Sequence, residues 1–210
     1  MGRNAERDAR ERENRKQKIT ETAFSIFAEK GIETVSMSDI AAACGMSYAT
    51  LYRHYDTKEE LVLTINNRIW DTFFREYYQS RDVSKLNAAE EFDFYLDTYL
   101  DLYRNHRDIL RFSHFFNAYI GMEQVTPDQM QGFQTMMAFI AERFHGIYEK
   151  AKIDGTVRTD IPENEIFSAT LHLMLAAVTR YSVGLVYQIH SDGEKELLLL
   201  KELLYRYYRG

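Results

Sequence analysis

Residues 36–58 read SMSDIAAACGMSYATLYRHYDTK, and this stretch decides the fold. Ser36 stands three residues before Asp39. That is the spacing of a capping box, in which each side chain bonds the other's backbone N–H at a helix start. The helix it opens turns Ile40 and Ala41 inward and ends before Gly45. A second helix starts near Ser47 and runs to about Tyr55, with Leu51 as its core residue. Thr57 and Glu60 repeat the capping spacing and open a helix through about Gln79. Two short helices joined at a glycine form a helix-turn-helix, whose second helix enters the DNA major groove while the first crosses the backbone. Where the helices meet, small residues are needed, and Ala41, Ala42 and Ala43 supply them. The outer face of the second helix offers Ser47, Tyr48, Thr50, Tyr52, Arg53 and His54. These are hydrogen-bonding groups with no Asp or Glu among them, a face suited to a polyphosphate.

Outward from this stretch the chain reads as helix throughout. A helix from Asn14 carries Ile19, Ala23, Ile26 and Phe27 on one face and stops at Gly31. Residues 1–13 lack apolar periodicity and read as a flexible charged arm. Beyond Gln79 the spacing predicts helices from Asn87 to about Asn105 and over 107–121. A further helix begins at Pro127 and reaches about Lys152. A long apolar helix then runs from Pro162 to about His190, and a last one spans 194–209. No segment alternates cleanly enough for a strand. The expected fold is all-α, with about nine helices: a head at 14–62 and a larger helical domain at 63–210.

The string from Gly45 through Thr50, Leu51, Tyr52, His54, Thr57 and Lys58 to Leu61 resembles the TetR (tetracycline-repressor-like) family. Phe27 to Gly31 and Ser38 to Ala41 are similar to that family too, as is the turn from Asp154 to Asp160. The resemblance implies a three-helix DNA-binding head on a ligand-binding and dimerisation domain. It implies that Tyr52 and His54 touch phosphates or flanking bases, and that Lys58 holds a phosphate at a helix start. Ser47, Tyr48 and Thr50 would face base edges, Ser36 and Ser38 the DNA backbone. Arg53 and Tyr48 would carry specificity. Arg15, Lys16 and the arm arginines could reach phosphates or the adjacent minor groove. The implied protein is a transcriptional regulator, a repressor released from a palindromic operator by a small hydrophobic ligand. The other reading is a helical binding protein or enzyme whose head is not used on DNA.

Charge divides along the chain in keeping with this. Residues 1–58 hold ten Lys and Arg against nine Asp and Glu, the remainder sixteen against twenty-three, within a net charge of −6. The single cysteine, Cys44, permits no disulfide within the chain and fits a reducing cytoplasm. No apolar run approaches the ~20 residues of a membrane span. No Walker loop, dinucleotide fingerprint or nucleophile elbow occurs, so neither enzyme chemistry nor a cofactor is expected. The histidines do not pair at i, i+4, and no metal site is expected.

Aromatic residues make up 14% of the chain and most lie after residue 70. Most are core by default, but a bundle this rich in phenols and methionines could enclose an apolar cavity with polar handles. Tyr95, His114, Phe115, Tyr148, His172 and Tyr181 are the candidate liners for a small-molecule effector. The last two helices are apolar around most of their circumference, which buries them on every side. The economical reading is a homodimer through about 163–208, built on Phe167, Leu171, Met174, Val178, Leu197, Leu200, Leu204 and Tyr208. A larger core within one chain is the alternative.

Overall fold

The computed structural model describes residues 2–122, 126, 130–185 and 192–210. Its helices are α1 (Gly2–Lys30), α2 (Met37–Ala43), α3 (Tyr48–Tyr52), α4 (Lys58–Gln79), α5 (Ala88–Asn105), α6 (Arg107–Met122), α7 (Gln131–Asp154), α8 (Glu163–Ser182) and α9 (Gly193–Tyr208). An isolated antiparallel bridge pairs Val157 with Arg209. The chain forms two compact units. One comprises residues 1–69 with 112–132, the other residues 70–111 with 133–210.

The first unit is the head. Ile19, Ala23 and Phe27 of α1, Ile40 and Ala41 of α2, Leu51 of α3, and Leu61 and Ile65 of α4 fill one core. Phe112, Phe116 and Tyr119 of α6 fill it too, with Phe112 edge-on to Phe24 at 5.6 Å. Each contributor recurs at helical spacing, so one stripe of each helix is inward. Tyr55, just beyond α3, is buried, and burial pushes its phenol up to about 12.

The first correction concerns the N-terminus. Residues 2–13, expected as an arm outside helix, continue α1 as helix. Periodicity detects only a buried face, and this segment has none. Its Ala, Arg and Glu are strong helix formers, and Arg7 pairs with Glu11 one turn on at 3.4 Å.

In the second unit α5 packs against α8 and α9, and α8 against α9. Phe92, Tyr95, Tyr99, Phe144, Met174, Val178, Leu197 and Tyr208 are buried there. Lys201 of α9 reaches Asp93 at 2.8 Å and Asp97 at 2.6 Å on α5, a charged tie beneath the apolar contacts. Asp154 accepts from the Ala88 N–H at 2.8 Å, satisfying a free donor at the start of α5.

The second correction concerns α8, which stops at Ser182 where the sequence reading ran to about His190. Gly184 takes a φ of 76°, a left-handed conformation that ends the helix. The Leu185 N–H bonds the Arg180 carbonyl at 3.1 Å and the Gly184 N–H bonds Tyr181 at 3.4 Å, the paired bonds of a Schellman motif. The expected helix start at Pro127 and the expected helix end near His190 lie outside the described residues. No helix of the described residues is long and apolar enough to cross a membrane.

Candidate nucleic-acid interface

The α2–α3 hairpin is locked from both ends. At its start the Ser36 N–H and hydroxyl donate to the Asp39 carboxylate at 2.8 and 2.6 Å, and the Asp39 N–H donates back to Ser36 Oγ at 3.2 Å. Bonding to Ser36 lowers the Asp39 pKa, so the carboxylate stays charged at the positive end of the helix. At the turn, the Gly45 N–H bonds the Ala42 carbonyl and the Met46 N–H bonds Ala41, both at 3.0 Å. Gly45 sits at a φ of 68°. Gly45→Ala should therefore lower stability by about 1 kcal/mol, the cost of a left-handed L-residue. Gly45→Asn should cost less, because asparagine tolerates that region. Thermal melts of the two variants check this. Equal melting temperatures for wild type and Gly45→Ala would mean that the turn relaxes without strain.

Ser47 caps α3, accepting from the Thr50 N–H at 3.2 Å, with the two side-chain oxygens 2.8 Å apart. Leu51 points into the core, leaving Tyr48, half exposed, and Arg53, exposed, on the outer face. The rings of Tyr48 and Tyr52 lie 4.4 Å apart, one turn from each other. Bonding to the Tyr48 hydroxyl raises the Tyr52 pKa, so its phenol remains a neutral hydrogen-bond donor. Arg53 donates from Nε to the Ala49 carbonyl at 3.4 Å, which lays its guanidinium along the helix surface. His54 is half-buried, with Nδ1 enclosed and no hydrogen-bond partner among the described residues. Thr57 caps α4, accepting from the Glu60 N–H at 3.1 Å, while Glu60 accepts from Asp56 at 2.8 Å.

The structure gives several of the expected contact residues a second duty. Ser36 and Ser47 are helix caps, and Ser38 is exposed on α2 beside the first of them. Lys58 is half-buried, its ammonium 5.3 Å from the Tyr119 ring centre and 6.0 Å from that of Phe27. The Tyr119 hydroxyl donates to the neighbouring Glu59 carboxylate. Lys58 therefore faces aromatic rings, and holding a phosphate requires its flexible stem to swing outward.

The residues expected to line an effector cavity are divided between the two units. His114 and Phe115 belong to the head unit, where the Phe115 ring lies over Gly31. In the second unit Tyr95 is core, its hydroxyl 2.8 Å from that of Tyr99. Tyr148 donates to the Thr159 and Ile161 carbonyls at 3.1 and 2.8 Å, pinning the approach to α8. His172 is exposed on α8, and Tyr181 is half-buried beside Tyr103. Helical spacing cannot tell a residue facing a cavity from one serving a core or a loop. The sequence reading missed Tyr78, Thr170 and Ser182, whose hydroxyls are buried in this unit with no hydrogen-bond partner among the described residues. It also missed His145, which lies 3.0 Å from Glu163 and 4.0 Å from Glu149, its i+4 neighbour. Bonding to Glu163 raises the His145 pKa, so the trio reads as an ion-pair cluster between α7 and α8.

The expected dimer residues need correction as well. Leu171, Met174, Val178, Leu197, Leu204 and Tyr208 are buried within the protomer, and Phe167 and Leu200 are half-buried. The outward apolar residues of α8 and α9 are Leu173, Leu198, Leu199, Leu203 and Tyr207, from 41% to 60% exposed. Both helices are apolar around most of their circumference, so the pattern alone does not say which stripe faces inward.

Comparison with known proteins fits this geometry. Residues 19–65, which span the capped hairpin and the start of α4, match the family described as "Bacterial regulatory proteins, tetR family". An HTH-type transcriptional regulator of Staphylococcus aureus (strain MRSA252) is 29% identical over 158 residues, covering 75% of this chain and 78% of that one. A transcriptional regulator from Saccharomonospora viridis, solved in complex with choline, superposes with a TM-score of 0.76 at 16% identity, covering 93% of this chain and 97% of that one. AibR, solved in complex with isovaleryl coenzyme A and operator DNA, superposes with a TM-score of 0.69 at 22% identity, covering 91% of this chain and 98% of that one. Over residues 19–65 the chain thus carries the head described for the tetR family of bacterial regulatory proteins, and the likeness of the helical body that follows to solved regulators is one of fold.

Proposed function

We propose that the chain is a sequence-specific DNA-binding transcriptional regulator, a homodimeric repressor released from a palindromic operator by a small effector. The observation that carries the reading is the outer face of α3. Tyr48, Tyr52 and Arg53 stand there with neutral or positive hydrogen-bonding groups and no carboxylate, on a helix held by Ser47 and the Gly45 turn. Such a face can donate to phosphates and base edges together. Tyr48 and Arg53 carry specificity, Ser47 and Thr50 face base edges beside them, and Ser36, Ser38, Tyr52, His54 and Lys58 line the path of the backbone.

Pairing through the outer faces of α8 and α9 gives the protein its two-fold axis. Leu173, Leu199, Leu203 and Tyr207 would be covered there, and Ala169 and Ala176 let helices approach closely. Two heads then read an inverted repeat with centres about 34–36 Å apart or a groove-matched multiple of this.

The effector enters the second unit. A buried hydroxyl without a partner costs ~1–3 kcal/mol, and among the described residues Tyr78, Thr170 and Ser182 each carry one. A ligand oxygen satisfies such a group, and Trp70, Phe73 and Phe74 supply aromatic surface on α4 nearby in sequence. The effector is therefore an apolar molecule with at least one hydrogen-bond acceptor. AibR's complex with isovaleryl coenzyme A and operator DNA supports a regulator of this kind. Helix α4 is unbroken from Lys58 to Gln79, contributing its first part to the head core and its second to the other unit. A ligand that favours one setting of α4 shifts the population of DNA-competent heads.

The test is a panel of small molecules screened for thermal stabilisation of the protein, then for their effect on duplex affinity. At least one stabilising compound should weaken duplex binding tenfold or more, as linkage requires. Stabilising compounds that all leave affinity within twofold would remove effector control from the reading.

A further inference from the structure

The second unit holds a cluster of metal-ligating side chains that neither DNA reading nor pairing uses. His145 and Glu149 are four residues apart on α7 and so share one helix face. Glu163 joins them from the first turn of α8. An imidazole nitrogen and one oxygen from each carboxylate lie within 4.8 Å of one another. Sequence spacing hides such a cluster, because paired histidines are its usual mark on a helix and here the third donor comes from the next helix.

The donors are positioned by the fold. Helix α8 starts at Pro162 with no side-chain cap, and Glu163 turns its carboxylate to α7. Both of its oxygens face His145 Nδ1, at 3.1 and 3.0 Å, so the group presents its chelating edge to one point. Glu149 Oε1 stands 4.0 Å from His145 Nε2, too far for a hydrogen bond. Neighbouring ligands of an ion bound at about 2.0–2.2 Å stand roughly 3–3.5 Å apart, within the range these donors span. Tyr148, between the two α7 donors, is buried and donates to the Thr159 and Ile161 carbonyls, which fixes the segment that delivers Glu163. The three side chains are 32% to 55% exposed, so an ion can enter from solvent.

We infer that His145, Glu149 and Glu163 bind a divalent transition-metal ion of the zinc type, with water in its remaining positions. Carboxylates alone would suit Mg²⁺ or Ca²⁺, whereas the imidazole shifts the preference to Zn²⁺ and its neighbours in the first transition row. No thiolate takes part, since the chain's single cysteine, Cys44, is buried in the head. Two carboxylates and a neutral imidazole bring two negative charges to the ion. Lys152 Nζ, 2.5 Å from Glu149 Oε1, is the cation it displaces there. Without metal the same groups form the ion-pair cluster described above. Once bound, the ion fastens the C-terminal part of α7 to the first turn of α8 and stabilises the folded chain by mass action. The inference does not depend on the reading of α3.

The test is titration of the full chain, stripped with a chelator, with Zn²⁺ by calorimetry and thermal melts, and with Co²⁺ as a visible-absorption probe. One ion should bind per chain and raise the melting temperature, and Mg²⁺ at the same concentration should do neither. His145→Ala, Glu149→Gln and Glu163→Gln should each weaken Zn²⁺ binding by at least about 10- to 100-fold, the loss that even changes outside the ligand set cause. The Co²⁺ band should vanish in His145→Ala. Lys152→Ala should tighten binding by up to about fivefold, the worth of an exposed ion pair. Helicity by circular dichroism, measured without metal, should match wild type in every variant, because these side chains lie outside the core. A wild type that takes up no Zn²⁺ in excess overturns the inference. So does Zn²⁺ binding that survives all three ligand substitutions, which would place the ion elsewhere. An equal response to Mg²⁺ overturns the transition-metal assignment, leaving an adventitious acidic contact.

Discussion

Leu199→Asp combined with Leu203→Asp is expected to turn a dimer into a folded monomer and to cost at least about a thousandfold in operator affinity. The two leucines lie one turn apart on α9 and are 60% and 58% exposed in the protomer, so the charge does not enter its core. Burying a leucine contributes about 1.5–3 kcal/mol. A two-fold interface holds two copies of each, and with about 60% of each side chain left to bury the four together contribute roughly 4–7 kcal/mol of association on that scale. Four carboxylates in their place would be desolvated beside one another without partners, which is unfavourable by more than the lost burial. The effect on DNA follows from linkage of the half-sites: once one head is bound, the other acts at an effective concentration that raises avidity by roughly 10²–10⁴. Sedimentation gives the mass and duplex titration the affinity. A double variant that still sediments as a dimer would show that the interface lies elsewhere. The inward residues behave differently. Met174→Ala should destabilise the protomer by about 2–5 kcal/mol, as core truncations do, because its side chain is fully buried within one chain.

Tyr48→Ala with Arg53→Ala is expected to abolish sequence preference and to weaken operator binding at least about a hundredfold. Each well-made base contact discriminates by about 1–3 kcal/mol, and a two-fold protein loses it in both half-sites. Both side chains are exposed and make no core contact, so the melting temperature should stay within a degree or two of wild type. Non-specific binding, carried by phosphate contacts, should survive and remain salt-dependent. Titration of the variant on preferred and scrambled duplexes reads the difference. A variant that keeps the wild-type preference would place specificity on other residues.

The head was legible because its signals are local. A cap at Ser36 with Asp39, a cap at Thr57 with Glu60, a glycine in the turn and one inward leucine each have a single physical reading. The structure makes the first cap in full, the second with Glu60 accepting from Asp56 in place of Thr57, closes the glycine turn with backbone bonds and buries Leu51. The extension of α1 was not legible, since helix made by propensity and i, i+4 pairs leaves no apolar stripe. The end of α8 was marked in principle by Gly184, but an apolar run on both sides hid it. The outward face of α8 and α9 and the partners of the second unit's phenols depend on packing between helices distant in sequence. Tyr148 illustrates this. Its spacing marks it as inward, yet only its bonds to Thr159 and Ile161 say what it holds. His145 shows the same limit, because Glu163 comes from the next helix.

The most direct test of the central claim is selection of random duplex DNA by the purified chain at two salt concentrations. An inverted repeat should be enriched, more sharply at higher salt, and should disappear when Tyr48 and Arg53 are replaced by alanine. Failure to enrich any sequence at low salt, by a protein whose heads are folded, would contradict the claim that α3 reads DNA.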